Sequence, residues 1–329
     1  MKVLVYSAKD FEIPFLKLAN KGAHEITFIS ERLTTETAFR AIGYRAISIF
    51  SADDASYHVL DKLRDFGVLY ISLRSAGHDN INSMAAARAK IKVANAPGYS
   101  PNAIAEHAIT LLLGLNRKLI RSFLQIREQD FRLNNLIGID LVGKKAGVIG
   151  TGRIGKVLCN ILHGFGCELL ANDLAPDVKL ASNFGVRYLE LDEVCRKAHL
   201  LFICVPLTDQ TYRMIDADRI ELMQDSAILV NVARGAVVHT EQLLNALDNN
   251  QLGGYATDVY EDEAGIFFYQ HSEDKKVDDP LFWRLFDHPK VLLTPHQAFA
   301  TREALTKIAE TTIYNLNCWE EGKDSINAI

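Results

Sequence analysis

Short apolar runs alternate with segments of helical periodicity along the whole chain. In the first hundred residues, the runs lie at 2–6, 25–29, 46–50, 68–73 and 92–94. Segments between them, such as 56–66 and 80–89, place apolar residues three and four positions apart, as an amphipathic helix does. Apolar runs that alternate with helices predict parallel strands joined by helical crossovers. The chain is therefore predicted to be an α/β protein built on doubly wound parallel sheets.

The stretch NAPGYSP (95–101) concentrates turn-forming residues and predicts a crossing between two domains. A continuous helical pattern follows from 102 to about 129. It is apolar on more than one face, which indicates a central helix or half of a subunit interface. Further strands are predicted at 146–149, 168–171, 200–205, 227–232, 254–259 and 291–294. A last helix is predicted at 301–320, and the polar segment 273–279 reads as a solvated insertion.

The stretch 144–173 carries a specific motif. After an apolar run, Gly150, Gly152 and Gly155 form the spacing G-x-G-x-x-G, and a helical pattern follows. Glycines at these positions allow a tight turn, a close approach of the backbone to a pyrophosphate, and close packing of the helix on the strand. Asp173 ends the second strand, where a carboxylate accepts hydrogen bonds from the adenosine ribose and repels a 2′-phosphate. The motif predicts a Rossmann unit that binds NAD rather than NADP.

The composition is that of a globular protein and gives no sign of a nucleic-acid or membrane partner. The 36 basic and 41 acidic residues give a net charge of −5, and 48% of the residues are hydrophobic. No stretch of roughly 18 apolar residues occurs, and the first ten residues become polar too soon for a signal peptide. The five cysteines lack the spacing of a metal site. They indicate buried thiols in a reducing cytoplasm, with no metal.

Residues that directly follow a strand are the candidates for chemistry, since a doubly wound sheet binds its ligands at the carboxyl ends of its strands. Arg234 is one of them, and a guanidinium there suits a bidentate grip on a substrate carboxylate. His296 is another, and an imidazole can give a proton to a carbonyl oxygen or take one from an alcohol. Alone, either residue is more often structural. The cofactor motif favours the catalytic interpretation of both.

An acidic cluster could supply a partner for His296. Glu261, Asp262 and Glu263 lie shortly after Asp258. A carboxylate bonded to an imidazole fixes its tautomer and favours its protonated form. The residues alone do not choose among the three acids. Asp258 itself has two interpretations, a position beside the nicotinamide or a cap on the following helix.

The chain resembles the NAD-dependent D-2-hydroxyacid dehydrogenases, and among them most the D-lactate dehydrogenases. The motifs that carry the resemblance are ISLRSAG (71–77), APGYSPNAIAEHA (96–108), GVIGTGRIG (147–155), VNVARGAVV (230–238), GYATDVYEDEAGIF (254–267) and LLTPHQAF (292–299). With the C-terminal segment they span essentially the whole chain. The resemblance implies a discontinuous, flavodoxin-like substrate domain over 1–98 and 298–329. The inserted Rossmann NAD-binding domain would cover 99–297.

The resemblance also implies roles for individual residues. Arg234 would bind the carboxylate of a 2-oxo acid, His296 would protonate its carbonyl oxygen, and Glu263 would keep His296 protonated. The implied substrate-binding residues are Ser75, Ala76, Gly77, Tyr99 and Phe299. The implied cofactor contacts are Gly150, Gly152, Arg153, Ile154, Gly155, Asp173, Val205, Pro206, Thr211, Val232, Ala233, Arg234 and Asp258.

The implied reaction is the reduction of pyruvate to D-lactate by NADH, in a homodimer that could pair further into a tetramer. One alternative is a dehydrogenase for larger 2-oxo acids such as 2-oxoisocaproate or phenylpyruvate. A remote alternative is a non-enzymatic, NAD-sensing corepressor, which would be expected to carry long disordered tails and has no need of Arg, Glu and His together.

The sequence departs from the family pattern at a few positions. Cys204 stands where many relatives have histidine, which weakens what the resemblance implies about the details of the cofactor pocket. His78 stands where many have an apolar or aromatic residue, so a strict preference for the methyl group of pyruvate is open to question. The insertion 267–276 is a candidate lid.

Overall fold

A computed structural model describes residues 1–272 and 276–329 of the chain. They form two compact units, one made of Met1–Ser100 with Ala300–Ile329 and the other of Pro101–Phe299. Each unit is built on a sheet whose described strands all pair in parallel. The predicted α/β class with two parallel-sheet domains is confirmed. Residues 273–275, which belong to the predicted insertion and to the predicted solvated segment, lie outside the described residues.

The discontinuous unit holds a sheet in the order β2-β1-β3-β4-β5. Its strands are β1 (Lys2–Val5), β2 (Glu25–Phe28), β3 (Ala46–Ile49), β4 (Tyr70–Leu73) and β5 (Lys92–Ala94). Its α-helices are α1 (Ile13–Asn20), α2 (Tyr57–Asp65), α3 (Ser83–Ala89) and α12 (Arg302–Glu320). The apolar runs predicted from the sequence correspond to these strands, because a strand covered on both faces is apolar throughout.

The last helix, α12, completes the core of this first sheet. Ile313 and Trp319 from α12 pack with Val3 and Val5 of β1. The indole of Trp319 also stacks on the ring of Tyr70 in β4, with the ring centroids 5.1 Å apart and the planes 14° from parallel. Helices α2 and α3 cover the other face of the sheet. One face of the N-terminal sheet is therefore buried by α12 together with α1.

The continuous unit holds a larger sheet in the order β12-β11-β10-β9-β6-β7-β8. Its strands are β6 (Lys145–Ile149), β7 (Glu168–Asn172), β8 (Arg187–Tyr188), β9 (Leu200–Ile203), β10 (Ile228–Asn231), β11 (Gly254–Thr257) and β12 (Val291–Leu293). Its α-helices are α4 (Pro101–Asn116), α5 (Leu119–Arg127), α6 (Arg153–Gly164), α7 (Val178–Phe184), α8 (Leu191–Lys197), α9 (Ala217–Leu222), α10 (Thr240–Asp248) and α11 (Pro280–Asp287). The chain order reverses beside β6, the strand that leads into the glycine motif. This is where a doubly wound sheet binds its ligand.

The long helix predicted from 102 to about 129 is wrong, because the structure breaks it into α4 and α5. Lys118 adopts the left-handed conformation at the break, with φ 54°. Asn116, which is buried, donates its Nδ2–H to the carbonyl of Ile139 at 2.8 Å and accepts the Ile139 N–H at 2.9 Å. The side chain of Asn116 thus binds a distant backbone segment where the helix ends. No glycine or proline marks the break in the sequence.

The five cysteines carry free thiols, of which four are buried and that of Cys204 is partly buried. Burial raises the pKa of Cys159 and of Cys204 to about 12, so both thiols stay protonated at neutral pH. Among residues 1–272 and 276–329, no helix has the length and apolar character needed to cross a membrane.

Candidate active site

The glycine motif forms a tight turn between β6 and α6. Gly150 has φ +89°, a backbone conformation that favours glycine. A Cβ atom at Gly155 would lie 2.0 Å from the carbonyl oxygen of Gly150, so a side chain there would push the helix off the strand. A Cβ atom at Gly152 would meet nothing within 4 Å. The backbone at the N-terminus of α6 is thus open to a ligand, and Arg153 and Ile154 begin that helix.

Asp173 lies just beyond β7, beside the glycine turn. Its carboxylate accepts the N–H and the hydroxyl of Thr151, at 2.6 and 3.0 Å, and the N–H of Ala175 at 2.8 Å. Partial burial opposes ionisation, but these hydrogen bonds outweigh it and hold the pKa of Asp173 below its ordinary value. The sequence-predicted acid is therefore a fixed anion at the tip of the second strand.

The predicted cofactor residues after β9 lie against the same turn. A Cβ atom at Gly150 would be 2.7 Å from the carbonyl oxygen of Cys204 and 2.8 Å from Cγ1 of Val205. The loop beyond them is closed by Thr211, whose hydroxyl donates to the carbonyl of Pro206 at 2.6 Å. The structure thus brings Val205 and the glycine turn together and orders the loop that follows.

His296 and Glu263 are hydrogen-bonded to each other. The Nδ1–H of His296 donates to Oε1 of Glu263 at 2.5 Å, and Oε2 of Glu263 accepts the N–H of Tyr260 at 3.1 Å. Both side chains are partly buried, with 16% and 24% of their surface exposed. Of the three candidate acids, Glu261 instead approaches Arg213, with 3.6 Å between the charged groups. The pairing fixes the tautomer of His296 and directs Nε2 away from the carboxylate.

Asp258 holds the loop that carries His296. Its carboxylate accepts hydrogen bonds from the Thr294 hydroxyl at 2.6 Å and from the N–H groups of Gln297 at 2.9 Å and Ala298 at 2.7 Å. Its backbone carbonyl accepts the N–H of His296 at 2.7 Å. His296 has φ 54°, an uncommon conformation for a residue other than glycine, which its surroundings must hold. The position of Asp258 beside the nicotinamide stays a prediction.

A residue of α4 joins this network, and sequence reasoning did not single it out. Nε2 of His107 lies 3.0 Å from Oγ1 of Thr294 and 3.3 Å from Oδ1 of Asp258. Since the Thr294 hydroxyl donates to Asp258, it can accept from Nε2–H of His107. The side chain of His107 is 15% exposed. The loop that carries His296 is therefore tied to a helix as well as to β11.

Arg234 lies in the turn after β10, and the side chain of Asn231 is hydrogen-bonded to this turn. The side-chain amide of Asn231, which is buried, donates to the carbonyl of Arg234 at 2.9 Å and accepts the N–H of Ala233 at 3.0 Å. A Cβ atom at Gly235 would lie 2.1 Å from the carbonyl carbon of Tyr260. The turn that bears Arg234 therefore packs directly on the segment that leads to the predicted acid. The predicted cofactor residues in the same turn are Val232 and Ala233.

The predicted carboxylate-binding segment 75–77 lies in the other unit, after β4. The hydroxyl of Ser75 donates to the carbonyl of Gly77 at 2.7 Å, and Asn95 donates to the carbonyl of Ala76 at 2.7 Å. Before the segment, Arg74 forms a buried, bidentate ion pair with Glu12, at 2.9 and 3.0 Å. Sequence reasoning missed both of these supports, although Arg74 lies within the quoted motif ISLRSAG. Tyr99 and the exposed His78 belong to the same unit.

The residues of the continuous unit fit NAD. The turn leaves no room for side chains at Gly150 and Gly155, the N-terminus of α6 is open at Gly152, and Asp173 supplies a carboxylate for a ribose. Together with the sheet order, these features define a class of protein, the NAD-dependent oxidoreductases.

Comparisons with known proteins narrow the class to one family. The model of the D-isomer specific 2-hydroxyacid dehydrogenase NAD-binding domain matches residues 109–298. The chain is 39% identical to a D-lactate dehydrogenase of Escherichia coli (strain K12) and 38% identical to a 2-hydroxyacid dehydrogenase homolog of Zymomonas mobilis, over 100% of each chain. A solved structure described as the pyruvate reductase of Chlamydomonas reinhardtii superposes with a TM-score of 0.91 and 33% identity, over 99% of this chain and 98% of that one.

The chain belongs to the D-isomer specific 2-hydroxyacid dehydrogenases. The predicted family, the NAD cofactor and the assignment as an NAD-dependent dehydrogenase are confirmed.

Proposed function

We propose that the protein is a D-lactate dehydrogenase that catalyses pyruvate + NADH + H⁺ ⇌ D-lactate + NAD⁺. The observation that carries the proposal is the 2.5 Å hydrogen bond between Glu263 and His296, in a unit built to hold NAD. An imidazole held in this way can donate a proton to a ketone oxygen and recover it from an alcohol. The similarity to a D-lactate dehydrogenase at 39% identity supports pyruvate as the substrate.

Each proposed catalytic or substrate-binding residue has a defined role in the reaction. Arg234 binds the carboxylate of the 2-oxo acid and orients it, and the N–H groups of 75–77 assist. His296 transfers a proton from Nε2 to the carbonyl oxygen, while Glu263 stabilises the imidazolium through Nδ1–H. NADH supplies the hydride that reduces the carbonyl carbon. Tyr99 and Phe299 bound the space for the methyl group of the substrate.

The cofactor is proposed to lie along the carboxyl edge of the seven-stranded sheet. The backbone at Gly150, Gly152, Arg153, Ile154 and Gly155 would receive the pyrophosphate, and Asp173 the adenosine ribose. Contacts further along the cofactor are proposed for Val205, Pro206, Thr211, Val232, Ala233 and Asp258. The discontinuous unit, in turn, is proposed to be the substrate domain and the continuous unit the NAD-binding domain.

We also propose a homodimer that uses α5. This helix has no buried residue in the single chain, and its apolar side chains Phe123 and Leu124 are 59% and 52% exposed. Exposed apolar patches of this kind mark interaction surfaces. The five free thiols are consistent with a reducing cytoplasm, which we propose as the location. Sedimentation velocity of the purified protein would measure the oligomeric state.

The test of the function is a substrate series followed by a chiral analysis. The loss of NADH absorbance is recorded with pyruvate, 2-oxobutyrate, 2-oxoisocaproate and phenylpyruvate, and the hydroxy acid produced is assigned as D or L. We expect the highest kcat/KM with pyruvate and only D-lactate as its product. A preference for a bulky 2-oxo acid would keep the mechanism and change the substrate. NADH binding without turnover of any 2-oxo acid would refute the enzymatic proposal and favour a binding module.

A further inference from the structure

Two phenyl rings contact the imidazole of His296. The ring centroid of Phe268 lies 5.6 Å from that of His296, with the planes at 45°, and the centroid of Phe299 lies 6.4 Å from it, with the planes at 78°. The two phenyl centroids are 6.5 Å apart. These are contact distances for aromatic rings. The family resemblance implies that Phe299 is a pocket residue, whereas Phe268 comes from the segment after Glu263.

The backbone holds the ring of Phe268 in this place. The N–H of Phe267 donates to the carbonyl of Glu263 at 3.1 Å, so a short turn joins the acid to the two phenylalanines. Phe267 is 5% exposed and packs edge-on against Phe282, with centroids 6.1 Å apart. Phe268 then adopts φ 68°, which is rare for a bulky side chain. Two consecutive phenylalanines therefore diverge, one into the core and the other onto His296.

Strained backbone of this kind persists where the surrounding structure holds it, and it concentrates at functional sites. Since Nδ1 of His296 is bonded to Glu263, the proton for a substrate comes from Nε2. A carbonyl oxygen that receives this proton must lie about 3 Å from Nε2. The substituent on the carbonyl carbon then lies within reach of rings that already contact the imidazole.

We propose that Phe268 is a specificity-determining residue, whose ring limits the size of the apolar substituent on the carbonyl carbon of the 2-oxo acid. The inference rests on the proposed function and deepens it. It assigns the preference for a small substituent to the turn that also carries Glu263. One segment of the chain would thus supply both the ring that limits the substrate pocket, Phe268, and the acid that supports His296, Glu263.

The test compares substrates of increasing size in wild type, Phe268→Leu and Phe268→Ala. The measured quantity is the ratio of kcat/KM for 2-oxoisocaproate to kcat/KM for pyruvate. Because a few methylenes of pocket volume change such ratios by about 10- to 200-fold, we expect Phe268→Ala to raise the ratio at least about tenfold. Phe268→Leu should give a smaller rise. The dissociation constant for NADH should stay within about twofold of wild type.

A matched control is Phe165→Ala, which also removes a phenyl ring, but from the partly exposed C-terminus of α6. It should leave the ratio unchanged. An equal loss of kcat/KM on every substrate in both Phe268 variants would assign Phe268 a structural role only and overturn the proposal. If Phe268→Ala does not fold, Phe268→Leu decides. If wild type reduces pyruvate but the ratio does not move, the inference alone fails. If wild type reduces no 2-oxo acid, the proposed function fails first and the inference falls with it.

Discussion

Replacing Asp258 by asparagine should destabilise the continuous unit and displace His296. The carboxylate accepts from Thr294, Gln297 and Ala298 at 2.6–2.9 Å. An amide has one oxygen, so its NH₂ group must face either the N–H of Ala298 or the pair of donors at Thr294 and Gln297. Either orientation loses at least one hydrogen bond to a charged acceptor and leaves a buried donor unpaired, a cost of about 2–3 kcal/mol. For a unit of this size that is a fall in Tm of about 4–12 °C.

Differential scanning calorimetry measures the fall in Tm, and steady-state kinetics should show a lower kcat, because His296 is displaced. Asp216→Asn is a matched control, because Asp216 caps α9 by accepting from the N–H of Arg219 and asparagine caps equally well. An unchanged Tm together with an unchanged kcat would refute this reasoning.

Substitutions at three further positions test the proposed site. Arg234→Ala should raise KM for pyruvate and lower kcat, with a fall in kcat/KM of at least about 100-fold. Arg234→Lys should restore only part of the lost kcat/KM, because lysine cannot bind a carboxylate in the same bidentate way. Unchanged kinetics in Arg234→Ala would remove Arg234 from the site. Glu263→Gln should lower kcat for pyruvate reduction, since a neutral amide holds the Nδ1–H of His296 less strongly than a carboxylate does, and an unchanged kcat would contradict the pairing. Asp173→Asn should raise kcat/KM with NADPH relative to NADH by about tenfold, a change of about 1.4 kcal/mol. The hydrogen bonds that keep the pKa of Asp173 low should preserve the wild-type preference at mildly acidic pH, and an Asp173→Asn ratio equal to wild type would contradict the assignment.

The strands were predictable because their physics is local. A strand buried on both faces is an apolar run, and these runs lie within a few residues of the strands in the structure. The two-residue strand β8 is too short to show a pattern. The break between α4 and α5 was missed because its cause is a tertiary contact between Asn116 and Ile139. Helical periodicity continues through the break.

The candidate site was predictable as a set of strand ends, but its supports were not. Asp258 and the residues it binds are far apart in sequence, and they meet only because β11 and β12 pair with Thr257 beside Leu293. The buried pair of Arg74 and Glu12 likewise depends on the fold of its unit. Residues that support a site have no fixed separation along the chain, so a sequence motif cannot reveal them.

The core of the N-terminal sheet depends on a helix that is synthesised only after the whole continuous unit. Strands β1 to β5 end at Ala94, whereas α12, which buries one of their faces together with α1, begins at Arg302. At roughly 5–20 residues per second, a ribosome needs about 10–40 s to make the intervening chain. During that interval the apolar face that includes Val3 and Val5 lacks α12, and of its two covering helices only α1 has been made. The continuous unit can therefore complete its own core before the discontinuous unit does, and part of this apolar face stays exposed until α12 emerges.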